Sequence, residues 1–67
     1  MIALIINGEP RRFENSLTIA ELIERLELAG KRVALERNGE IVPRGRYAEQ
    51  ALAEGDRLEI VVAVGGG

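Results

Sequence analysis

The stretch Leu17-Thr18-Ile19-Ala20-Glu21-Leu22-Ile23-Glu24-Arg25-Leu26 decides the fold. Ile19, Leu22, Ile23 and Leu26 recur at i, i+3, i+4 and i+7, which gathers them into one apolar stripe on a helix and leaves Glu24, Arg25 and Glu27 on the other side. Thr18 is placed as the N-cap, and Glu21 three residues on completes a capping box. Leu17 and Leu22 have the spacing of a hydrophobic staple across that start. Gly30, with Lys31 beyond it, is placed to end the helix in a left-handed conformation. One stripe can cover one face of one sheet, so the rest of the chain must supply its strands.

Upstream, Ile2-Ala3-Leu4-Ile5-Ile6 is a β-branched run closed by Asn7-Gly8, a two-residue hairpin signal. The return strand is expected over 9–13, with Pro10 near its start. Alternation turns Ile2, Leu4 and Ile6 to the core and Ala3 and Ile5 outward. Downstream, Val33-Ala34-Leu35-Glu36-Arg37 is a third strand, Asn38-Gly39 repeats the hairpin signal, and Glu40-Ile41-Val42 returns until Pro43. From Arg44 to Glu54 the chain is polar, with Tyr47, Ala51 and Leu52 as anchors and room for a single helical turn. After the turn Glu54-Gly55-Asp56 comes the last strand, in which Leu58, Ile60 and Val62 face inward and Glu59 and Val61 outward.

The order β-β-α-β-β-β, with one helix on one face of a mixed sheet, is an α+β two-layer domain. The final strand, being the most apolar, is expected beside the first in the middle of the sheet.

At 67 residues the chain has room for one small domain, read as 1–67, whose stability must come from one core. It holds neither cysteine nor histidine, which removes disulfides, thiol nucleophiles, the usual zinc sites and the usual general base near neutral pH. A net charge of −2 from mixed signs, with 3% aromatics, argues against nucleic acid as a partner. With no apolar run of membrane-spanning length, the expectation is no membrane partner and a soluble, cytoplasmic protein.

The last strand runs straight into Val64-Gly65-Gly66-Gly67. Residues 63–67 are read as a flexible glycine tail that fits a channel too narrow for side chains and carries an α-carboxylate beyond any bulky group. A carboxylate so presented suits a role as the reacting group. The competing reading is an inert, frayed end.

Taken together, Glu36-Arg37-Asn38-Gly39-Glu40-Ile41-Val42-Pro43-Arg44, then Tyr47, then Gly55-Asp56-Arg57-Leu58-Glu59-Ile60-Val61 and Val64-Gly65-Gly66-Gly67 resemble the thiamine-biosynthesis sulfur carrier family. Its fold is the ubiquitin-like β-grasp. The glycine ending is common to all ubiquitin-like carriers; the Asn-x-x-Ile-Val-Pro-Arg stretch followed by an aromatic points to the thiamine branch. The resemblance implies a carrier rather than an enzyme. A ubiquitin-activating-like adenylyltransferase would use ATP and Mg to adenylate the Gly67 carboxylate, with no cofactor bound by this chain. Sulfur from a donor system such as a cysteine desulfurase would give a thiocarboxylate, and thiazole synthase would accept the sulfur. The free carrier is expected to be a monomer.

Gly66, Gly65, Val64, Val61 and Arg44 are the expected partner-binding residues around Gly67. Arg44, with Arg46 and Arg37, is open to two readings: a basic patch for the activating enzyme, or solvated hairpin arginines. Val61 is either a docking residue beside the tail or packed under the 44–54 loop. Asn7-Gly8 and Asn38-Gly39 are read as turn chemistry alone. The small subunit of molybdopterin synthase, a carrier for tRNA thiolation and a β-grasp interaction module without chemistry stay open as alternatives.

Overall fold

A computed structural model describes residues 1–63. The chain forms β1 (Ile2–Ile6), β2 (Glu9–Phe13), the helix α1 (Ile19–Arg25), β3 (Val33–Arg37), β4 (Glu40–Ile41), a 3-10 turn (Arg44–Arg46) and β5 (Arg57–Val62). The strands make one mixed sheet in the order β2-β1-β5-β3-β4. β5 is central, parallel to β1 and antiparallel to β3. This is the expected α+β architecture, the ubiquitin-like β-grasp.

Local chemistry accounts for each element. Asn7 and Asn38 have φ of 52° and are followed by glycines at 84° and 89°, the two left-handed residues of a hairpin turn that matches strand twist. At the helix start the Thr18 hydroxyl accepts the Glu21 N–H at 3.1 Å, and the Glu21 carboxylate accepts the Thr18 N–H at 2.8 Å. Ile19, Leu22 and Ile23 then face the sheet, and Leu17 is buried beside them. Leu4, Ile19, Leu22, Leu35 and Leu58 are the most deeply buried side chains, so helix, β1, β3 and β5 share one core. Fully burying a leucine or isoleucine contributes about 1.5–3 kcal/mol, so these five supply a large part of the hydrophobic term.

The helix does not reach Gly30. It stops at Leu26, and Glu27 takes the left-handed conformation at φ 60°. The Glu27 N–H donates to the Glu24 carbonyl and the Leu28 N–H to the Ile23 carbonyl, both at 2.9 Å, which is a Schellman closure. Leu28 packs against the core just after the closure, and this burial offsets the strain of a left-handed glutamate. Gly30 is left-handed too, at φ 83°, but it serves the next turn, where Lys31 donates to Leu28.

Segment 44–54 lies along the helix side. Ile19 donates to the Gln50 carbonyl, Ala20 to Tyr47 and Leu52 to Leu17. Tyr47 and Leu52 are buried as expected. Ala51 is not an anchor: it is exposed and contributes its backbone, as an isolated bridge to Thr18. No helix among the described residues is long and apolar enough to cross a membrane.

Candidate functional site

In the sequence the glycines follow β5, so what holds that strand also fixes the point from which they start. Val62 is paired with Val33, and Ala63, first residue of the expected tail, donates its N–H to the Arg32 carbonyl at 2.9 Å. Val64, Gly65, Gly66 and Gly67, the remaining tail and the reacting carboxylate of the expected site, lie outside the described residues.

On the parallel side the β1–β5 pairing ends early, because β1 turns at Asn7. The Asn7 side chain takes over. Its Oδ1 accepts the Ile60 N–H at 2.7 Å and its Nδ2 donates to the Ile60 carbonyl at 3.1 Å. A side-chain amide thus continues the work of the main-chain ladder one step nearer the tail.

At the other end of β5 sits Asp56, a nearly buried carboxylate. It accepts the Ala53 N–H at 2.8 Å, Asn38 Nδ2 at 3.1 Å and Arg37 Nε at 2.8 Å, and forms an ion pair with the Arg37 guanidinium at 2.8 Å. Arg37 also donates to Gln50, and Asn38 Oδ1 accepts the Arg57 N–H. Burial pushes the Asp56 carboxyl upward, but the hydrogen bonds from Ala53 and Asn38, together with Arg37, outweigh it and hold it below its ordinary value.

Two expectations change accordingly. Asn7 and Asn38 are more than turn residues, since both side chains bind β5. Arg37 does not belong to a basic patch with Arg44 and Arg46; it is half-buried and committed to Asp56. The Asp56 constellation joins residues 18 and 19 apart, and only an aspartate following a turn glycine hinted at it in the sequence.

Val61 is 63% exposed and paired with Ala34 on the sheet face opposite the helix. Its place under the 44–54 loop is excluded, because that loop lies on the helix side. Register puts Ala3, Ile5, Ala34 and Ile41 on the same open face, with Ile41 also largely exposed. Arg44 is exposed near the tail's base and donates to the Lys31 carbonyl at 3.2 Å.

The family model described as the ThiS family matches residues 4–67. The sulfur carrier protein ThiS of Bacillus subtilis is 40% identical over 65 residues, covering 96% of this chain and 98% of that protein. A thiazole synthase of Paramagnetospirillum magneticum is 50% identical over 64 residues, covering 96% of this chain. This chain spans 20% of the length of that synthase, and 19% of a second one from Magnetococcus marinus. A crystal structure of the thiamine biosynthesis protein ThiS from Geobacter metallireducens superposes with a TM-score of 0.83 at 32% identity, covering 98% of this chain and all of that one. With a family model and a relative of matching length both spanning nearly the whole sequence, the chain belongs to the ThiS family.

Proposed function

We propose that this chain carries sulfur for the thiazole of thiamine, and that the Gly67 carboxylate is the group that is changed. The observation that carries the reading is a central strand, held by β1 and β3 and clamped by Asn7, that leads directly into a run of glycines. Such a base fixes where the tail starts, while glycines leave room for an enzyme to surround the terminal carbon.

A free carboxylate is a poor electrophile. A ubiquitin-activating-like adenylyltransferase with MgATP converts it to an acyl-adenylate, releasing pyrophosphate. The outer sulfur of a donor persulfide, such as that of a cysteine desulfurase, then attacks the acyl carbon and displaces AMP to leave an acyl disulfide. A thiol attacks the donor's sulfur in that bond, is oxidised to a disulfide with it, and releases the thiocarboxylate. ATP and Mg belong to the activating enzyme; the carrier supplies the carboxylate and the docking surface. The partner-binding residues of this reading are Val64, Gly65 and Gly66, next to Gly67 in sequence, with Val61 and Arg44 on the folded domain.

Thiazole synthase is the proposed acceptor. Two thiazole synthases that match this chain at 50% and 42% identity do so over about a fifth of their own length. A carrier-like segment joined to such an enzyme favours thiamine over the molybdopterin and tRNA-thiolation readings.

The test is ATP–pyrophosphate exchange with the activating enzyme. Deleting Gly66 and Gly67 should abolish exchange and leave the melting temperature unchanged. A truncated chain that is still activated contradicts the reading.

A further inference from the structure

At the C-terminal end of β5 the backbone brings three cationic residues to one place. Ala63 is bonded to the Arg32 carbonyl, Lys31 precedes Arg32, and Arg44 reaches across 13 residues of sequence to the Lys31 carbonyl. All three side chains are exposed, and the one ion pair among the described residues is Arg37–Asp56. Positive charge thus gathers at the tail's root in a chain whose net charge is −2.

Gathering like charges works slightly against folding, and these side chains are absent from the core. Arg37 shows the contrast, since its charge is spent inside the fold on Asp56.

We infer that Lys31, Arg32 and Arg44 form a basic collar that docks on an acidic rim around the cleft through which the activating enzyme takes the tail. The inference rests on the proposed function. It replaces the patch expected at Arg37, Arg44 and Arg46 with one centred on the tail's exit. The collar lies beside Ala63, four residues before the reacting carbon in the sequence, so its charge guides the approach of the carrier and leaves the chemical step alone. Rim charges of this kind govern association rate and salt dependence.

Three variants and two readouts test the collar. K31E/R32E/R44E reverses its charge, and R11E/R12E reverses a pair on β2, two strands from β5 and towards the other end of the sheet. In ATP–pyrophosphate exchange at low salt, the collar variant should raise KM about tenfold or more with kcat unchanged, and β2 reversal should do little. The gap should shrink towards 1 M salt, where the screening length is about 3 Å. K31Q/R32Q/R44Q, which removes charge without reversing it, should fall between, and it carries the test if the reversed variant misfolds.

The second readout needs no activating enzyme. Hexaglutamate titrated into the labelled protein should shift the amide resonances of residues 31, 32, 44 and 63 more than those of 9–13. Failure of the wild type to exchange at all would sink the proposed function while this titration still judges the collar. Equal shifts at Arg11 and Arg12, or a KM effect that is the same for both variants or indifferent to salt, overturns the collar.

Discussion

The side-chain amide of Asn7 is paired with the main chain of Ile60, accepting at 2.7 Å and donating at 3.1 Å across 53 residues of sequence. It holds the tail-bearing strand where the β1–β5 ladder has already ended. Asn7 therefore has two duties, a left-handed turn residue and a clamp. Asn7→Gly separates them, because glycine keeps the turn and loses the amide. With a net 0.5–1.5 kcal/mol for each hydrogen bond, Asn7→Gly should lose about 1–3 kcal/mol in urea unfolding. Asn7→Ala should lose more, since alanine also resists φ 52°. Wild-type stability in Asn7→Gly would show that the clamp contributes nothing.

Asp56 predicts a pH dependence. Its carboxyl is held below its ordinary value of 3.8, so the unfolded chain binds protons there more readily than the folded one. The stabilisation is complete above that value and is lost as pH falls through the folded-state pKa. Asp56→Asn, which leaves Arg37 without its partner, should destabilise the protein by about 2–3 kcal/mol at pH 7. Unfolding measured from pH 7 to 2 should show the gap between wild type and variant closing below about pH 4. A gap that stays constant over that range would mean that the Asp56 charge is not what stabilises the fold.

Glu27 is a site where the chain can be improved. A left-handed residue with a Cβ costs about 1–2 kcal/mol, which glycine avoids. Glu27 is exposed, and its carboxylate is in no ion pair among the described residues. Glu27→Gly should therefore raise stability by about 0.5–1 kcal/mol, read as an increase in melting temperature. A lower melting temperature would place the value of Glu27 in its side chain instead.

These positions mark how far the sequence is legible. Asn-Gly pairs, the capping box and the apolar stripe are signals within a few residues, and all five strands and the helix start follow from them. The helix end does not, because the competition between Glu27 and Gly30 is settled by the burial of Leu28. Ala51 was indistinguishable from a core residue by type, and only its backbone turned out to matter. The Asn7 clamp and the Asp56 network join residues far apart in sequence, so local spacing holds no trace of the first and only the Gly55-Asp56 pair of the second. Of the expected site, Val61 and Arg44 can be assessed on the fold, whereas residues 64–67 lie outside the described residues.

The helix start offers a smaller, well-isolated prediction. Thr18→Ala removes the hydroxyl that accepts the Glu21 N–H and should cost about 1 kcal/mol in chemical unfolding. Loss of the hydroxyl also loosens the bond that the Glu21 carboxylate accepts from the residue 18 N–H, so Glu21→Ala in the same background should add less than it does alone. Strict additivity of the two would mean that the capping box does not act as a unit.

The central claim is that the Gly67 carboxylate is the atom group on which this protein works. The most direct measurement is the intact mass of the chain, and of its C-terminal fragment, after co-production with the adenylyltransferase and a sulfur source. The account predicts a gain equal to one oxygen replaced by sulfur, confined to the fragment that ends at Gly67. An unchanged Gly67 carboxylate, with the same enzyme active on another carrier, would contradict it.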